Sequence, residues 1–464
     1  MNDPRPSYDE LLALAQQQQR RIEALTAEVA RLRAERDEAR RAGKRQAAPF
    51  RKGPPKPNPK RPGRKAGAQH GTHAHRPPPE PIDEVLEARL PEACPQCGGA
   101  IAETETTTQF QTEIPRQPLR RQFHIHVGCC QQCGRRVQGR HPLQTSDATG
   151  AAASQLGPDA QAAVVGLNKD AGLSHGKVVA ALDTLFGIDR TRGASAQIVR
   201  RAAPRLAPAY AEIVQEIRDA DRLTADETGW RSGGHPAWLH AWVAARATGY
   251  AIDPQRSAAV LERVLGRDWE GVLVHDGFAS SDRFTEAVPQ QCVAPVLRRA
   301  RELLAEATRG AVRFPRAVLG LFTQAVPLRN EPLRGRVSAA ALAELREAFD
   351  DRLLALLVRP RGVPAYATLA EHLGRHFASW FTFLSDPSVP ATNWEAEQAI
   401  RPAVVKRKVW GGNRTAAGAS AQGVLLSVLR TCRQQAVSAL AFVSQTLRTF
   451  GNPLLPRPCL LAGR

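Results

Sequence analysis

The 464-residue chain is short of acidic residues: 45 aspartates and glutamates stand against 64 lysines and arginines, a formal net charge of +19. Such a balance says nothing about fold, but it selects a polyanionic partner, most simply nucleic acid. Also lacking is any uninterrupted apolar run long enough to span a bilayer. The nearest approach, "GVLLSVLRTCRQQAVSALAFV", is broken by Arg430, Arg433 and glutamines, and reads as a buried amphipathic helix. The opening "MNDPRPSYDELL" has no apolar signal-peptide core. These absences point to a cytoplasmic protein with no membrane partner. Thiols stay reduced there, so the cysteines are expected as metal ligands or core residues rather than disulfides.

What is present changes character along the chain. Over residues 1–42, Leu11, Ala15, Gln18, Ile22, Leu25, Val29 and Leu32 recur at alternating three- and four-residue steps. That is a heptad seam, with Gln18 as a polar register position. So narrow a stripe cannot bury itself alone, so a short coiled coil and a homo-oligomer are expected. Residues 43–84 are rich in lysine, arginine and proline, and no acid interrupts their cations between Lys44 and Lys65. They read as a disordered basic linker that tracks phosphates without reading sequence.

Residues 85–145 carry "CPQCGG" and "CCQQCGRR" around a β-rich stretch. Cys94, Cys97, Cys130 and Cys133 form two CxxC knuckles, and four soft thiolates in two such pairs suit a tetrahedral Zn2+ ribbon. The zinc is expected to be structural, because four thiolates leave no open position. Cys129 is an adjacent spare. Residues 146–220 read as helices with short turns: Ser174 caps one, a Val178–Val179–Leu182–Leu185 face follows, and Gly187 ends it. A helix-turn-helix reader and a plain helical spacer fit this segment equally.

From residue 221 the pattern turns to strands. Asp226 follows Leu223, Thr224 and Ala225, and is read as closing a first strand; "AWLHAWVAAR" and "TGYAIDP" supply two more. A helix, "SAAVLERVLG", leads to a fourth strand, "GVLVHD", which carries Asp276 out of the core. A three-strand meander, a helix and a parallel strand begin a ribonuclease-H-like sheet, in which sites gather at strand carboxyl ends. With the fourth strand beside the first, Asp226 and Asp276 meet. Paired carboxylates repel unless a cation neutralises them, and hard oxygen ligands favour Mg2+ or Mn2+. Two such ions would clamp the attacking and leaving oxygens of a phosphodiester. A third carboxylate is needed, and "TNWEAEQAIRPAVVKRKVWGGN" offers Glu395 and Glu397.

Taken together, "ADETGW", "LVHDGF", "NWEAEQAIRP" and "KRKVWGG" resemble motifs of the insertion sequence 66 family of transposases, and the resemblance extends along nearly the whole chain. It implies a multidomain α+β architecture: the coiled coil, the zinc ribbon, the helical region, and a ribonuclease-H-like core in two parts, 221–299 and 386–445. A helical insertion (300–385) divides the core, and a tail (446–464) follows it. The resemblance further implies a metal-dependent Asp-Asp-Glu transposase cutting and joining DNA, with Asp226, Asp276 and Glu397 as the triad and Glu395 at a variable position. Small companion proteins are implied partners. Beyond the triad, Arg401, Lys406, Arg407, Lys408 and Arg414 bracket Trp410, a grouping that suits phosphate contact and base stacking.

The match has departures. Trp394 and Gln398 replace the Asn and Arg usual in the third motif, and Val293 and Pro295 stand where the family carries Trp and His. The last two keep open an alternative, a catalytically decayed DNA-binding protein derived from a transposase.

Overall fold

The computed structural model describes residues 8–44 and, with breaks, 80–461; the breaks fall at 87–88, 94, 101, 103, 105, 113–116, 151–154, 277–283, 308, 331–337, 359–362, 451–455 and 457. The chain divides into two units, Met1–Glu113 and Ile114–Arg464. The first contains one long helix, α1 (Tyr8–Lys44). The heptad residues Ile22, Leu25, Val29 and Leu32 are exposed on it, and the side chains of Leu11 and Ala15 lie outside the described residues. Most of the basic linker, 45–79, lies outside them too.

The second unit opens with a small antiparallel ribbon, β1 (Val127–Cys129) and β2 (Arg136–Gln138). Helices α2 (Pro158–Val165), α3 (His175–Phe186) and α4 (Arg192–Arg218) follow, with a π-helical turn, Gly166–Asp170, after α2. Ser174 caps α3 by accepting from the Lys177 N–H, and Gly187 ends it in the left-handed region. Thr191 caps α4 in the same way.

The central sheet has five strands: β3 (Arg222–Ser232), β4 (His235–Val243), β5 (Thr248–Asp253), then α5 (Ala258–Leu265), β6 (Val272–His275) and β7 (Val288–Gln291). Their order is β5-β4-β3-β6-β7; the first three are antiparallel, and β6 and β7 run parallel to β3. The meander and the parallel return strand follow the order expected from the sequence.

The remaining elements are α6 (Val293–Glu306), α7 (Arg313–Leu328), α8 (Ala339–Leu357), α9 (Pro364–Arg375), α10 (Thr382–Ser385), α11 (Trp394–Trp410), α12 (Ala416–Gln434) and α13 (Ala439–Thr449). Strand alternation sorts the apolar residues into two layers. Leu223, Trp242 and Leu273 face one side, in one core with Leu206, Ile213 and Ile217 of α4 and with Val428 of α12. The 146–220 helices therefore share the sheet's own core. On the opposite face, Trp230, Leu239 and Tyr250 pack on Ala399, Ile400 and Ala403 of α11. Val274 joins the aromatic core of α6–α10, which holds Phe322, Trp380, Phe381 and Phe383. The β5 edge is covered by α12: the Tyr250 N–H donates to Ser427 Oγ at 2.8 Å and the Thr248 N–H to Thr431 Oγ1 at 3.1 Å. Backbone groups that would otherwise recruit another strand are thus satisfied.

Candidate carboxylate site

The parallel pairing of β3 and β6 matches Arg222 with Val272 and Thr224 with Val274. Two residues further along, Asp226 comes level with Asp276. Both share the parity of Thr224 and Val274, so they project on the α11 side, between the two apolar clusters of that face. Asp226 does not end its strand: β3 continues to Ser232, and Asp226 pairs with Ala241 of β4. The β3–β4 hairpin runs on to a turn at Gly233–Gly234, both with positive φ. It is β6 that stops, at His275, and this leaves Asp226 at the rim of the crevice where its parallel neighbour ends.

The electrostatics follow from that position. Burial, then the charge of Asp276, and more weakly those of Glu227 and Glu397, raise the Asp226 carboxyl to about 7. The Glu227 N–H opposes this by donating to Asp226 Oδ1 at 2.9 Å. Asp276 and Glu397 are exposed.

Helix α11 carries both candidate glutamates in its first turn, where the helix dipole favours acids. They do different work. Glu395 accepts from Arg222 at 2.9 Å and from the Thr224 hydroxyl at 3.0 Å, which fastens the helix start to β3. Among the described residues Glu397 forms no such pair, and it is Glu397, not Glu395, whose charge acts on Asp226. Arg401, one turn on and exposed, forms no ion pair with Glu397.

Much of the "KRKVWGG" motif is structural. Lys406 is buried and donates to the Lys169 carbonyl, so it does not face solvent. Trp410 is half-buried; its indole N–H donates to the Gly172 carbonyl at 2.9 Å, and Lys169 Nζ lies 4.6 Å from its ring centroid. Gly412, at φ 119°, lies so close to β3 that an added Cβ would come within 2.4 Å of the Arg231 carbonyl. Asn413 clips the same strand, with its side chain accepting from Trp230 Nε1 at 2.8 Å. Arg407 lies over the Trp230 ring, 5.9 Å from its centroid. Among the proposed DNA contacts, Arg401, Lys408 and Arg414 are exposed. At Lys406, expected as a DNA contact, α11 turns the side chain inward.

Sequence reasoning missed the groups behind the carboxylates. Glu227, raised chiefly by burial, is held by Arg256 at 2.6 Å, and Arg256 also stacks 4.6 Å from the Trp238 centroid. His275 is buried and lowered to about 4; Gln291 lies between it, at 3.4 Å, and His376, at 3.1 Å. The only signal in the sequence is that Glu227 and His275 adjoin the two aspartates. Val293 and Pro295 lie in the first turn of α6, where Val293 packs into the core.

Cys94 lies outside the described residues. Cys130 and Cys133 sit in the turn joining β1 and β2, which Gly134 closes by donating to the Cys130 carbonyl at 2.9 Å. Hydrogen bonds from Cys133 and Gln132 lower the Cys130 thiol. Among the described residues no three His, Cys, Asp or Glu side chains are gathered closely enough to hold a metal ion, and no helix is long and apolar enough to cross a membrane.

Fold and site together define an α+β protein with an acidic crevice over a mixed sheet, bordered by a helix bearing a third carboxylate. The family described as Transposase IS66 family matches residues 153–421, more than half of the chain and all three acidic positions, and the chain belongs to that family. It is also 26% identical over 182 residues to a protein of Sinorhizobium fredii (strain NBRC 101917 / NGR234) described as uncharacterized protein y4jO; the similarity covers 39% of this chain and 51% of that protein. The chain thus spans about half the length of the curated relative it matches.

Proposed function

We propose that the protein is a DNA transposase whose Asp226, Asp276 and Glu397 act as one metal-dependent site on a ribonuclease-H-like core. The observation that carries this reading is the electrostatic convergence on Asp226. A carboxyl raised to about 7 by burial and three neighbouring acids is a site short of positive charge. The donor set consists of carboxylate oxygens, which suits Mg2+ or Mn2+. Asp226 and Asp276 would hold such ions from adjacent strands, and Glu397 would complete the set from α11. When bound, the ions supply charge neutralisation at the attacking and leaving oxygens.

The protein's residues orient the reaction. Water attacks the phosphodiester at the element's end; the P–O3′ bond breaks, leaving a 3′-hydroxyl and a 5′-phosphate. That hydroxyl then attacks a target phosphate and displaces the target's 3′-oxygen, so no covalent protein–DNA intermediate forms. Exposed Arg401, Lys408 and Arg414 contact the DNA backbone. The α1 stripe serves self-association, and Cys94, Cys97, Cys130 and Cys133 hold a structural zinc. Small companion proteins are further proposed partners.

The test is magnesium-dependent nicking of DNA that carries the sequences flanking the reading frame. Wild type is expected to nick it and Asp276→Ala not to. Equal traces from both would instead support a DNA-binding protein without catalysis.

A further inference from the structure

Two residues that depart from the family's third motif, Trp394 and Gln398, are four positions apart and so share one face of α11. Both line a single cavity of about 490 Å3 between α11, the end of α12 and the β4–β5 turn. Cavities of about 300–1,000 Å3 commonly hold small ligands. Arg222, Arg430, Arg433 and Glu395 form its charged wall.

Trp394 is 59% exposed, while Trp230, Trp242, Trp269 and Trp380 are buried and Trp238 and Trp410 are half-buried. Packing does not account for a bare indole at the start of this helix. Arg222 is engaged by Glu395, and Arg433 by Asp170. Arg430 is half-buried against the cavity and forms no ion pair among the described residues. An open aromatic face, an amide and an uncommitted guanidinium therefore meet in one concavity.

We propose that this cavity receives one unpaired nucleotide of the DNA substrate. Its base stacks on Trp394, its edge meets the Gln398 amide, and its phosphate pairs with Arg430. Aromatic stacking beside a cation is how proteins hold single-stranded bases without reading sequence. The Glu395 bond to Thr224 ties the cavity wall to β3 two residues before Asp226. A nucleotide drawn into the cavity would thus unpair the duplex beside the carboxylates. This inference rests on the reading that the protein acts on DNA.

The experiment compares binding of the full chain to a short duplex containing one unpaired 2-aminopurine with binding to the same duplex fully paired. Wild type is expected to bind the first about tenfold more tightly and to quench its fluorescence, as stacking of one base provides. Trp394→Ala should bring the preference close to one, and Trp394→Phe should restore part of it. Equal affinity of wild type for both duplexes without quenching overturns the inference and leaves the DNA reading standing. So does a preference that survives Trp394→Ala. Failure to bind either duplex overturns both.

Discussion

Replacing Asp226 with asparagine should stabilise the fold while abolishing nicking. The Asp226 carboxyl rises from an ordinary 3.8 to about 7 in the folded protein. At about 1.36 kcal/mol per pH unit, the ionised form costs at most about 4 kcal/mol. The side chain is only half-buried, and water on its open side screens part of that cost; about 1–3 kcal/mol is the expected gain. Asparagine keeps the carbonyl that accepts from the Glu227 N–H, so that bond survives. The sign of the pH dependence is set by linkage: the folded state holds this proton more tightly than the unfolded chain. The advantage of Asp226→Asn is therefore absent below about pH 4, grows up to about pH 7, and is constant above. Urea unfolding across that range measures it. Millimolar Mg2+ at the alkaline end should stabilise wild type and narrow the gap, since binding to the folded state adds stability. A variant no more stable than wild type at alkaline pH would refute the claim that Asp226 is electrostatically strained.

Three further outcomes are expected. Lys169 is buried and lowered to about 7, chiefly by desolvation and then by Lys406. Lys169→Met should thus be more stable than wild type near pH 6–7, with the gain shrinking toward about pH 10 as the unfolded lysine also loses its charge; a pH-independent difference in thermal melts would contradict this. Gly412→Ala, which places a methyl against the Arg231 carbonyl, should cost on the order of 2 kcal/mol or more in denaturant titrations through strain at a left-handed position; wild-type stability would show that the clip can shift. Zinc analysis of the purified chain should find metal that is lost when Cys130 and Cys133 are both replaced by serine; metal-free wild type would remove the ribbon proposal.

The sequence makes the sheet legible because its signals are local. "VLVHD" is too apolar and too short to be anything but a buried strand, and "TGYAIDP" supplies the third strand of the meander, β5, from Thr248 onward. Where Asp226 lies along its strand was not legible. The length of β3 is set by pairing with β4 as far as Gly233–Gly234, a tertiary fact that the turn-rich "DETGW" conceals. The choice between Glu395 and Glu397 could not be read from spacing alone. It depends on Arg222 and Thr224, some 170 residues earlier in the chain, claiming the first. The burial of Lys406 within the basic run was hidden for the same reason: periodicity does not say which face of α11 is covered, and the carbonyl that Lys406 meets belongs to the π-helical turn at Lys169.

Anomalous scattering from crystals grown with Mn2+ and DNA tests the central claim most directly. The account predicts manganese peaks bounded by the carboxylates of Asp226, Asp276 and Glu397. Peaks that leave Glu397 in solvent, or that recruit Glu395 away from Arg222, would contradict it.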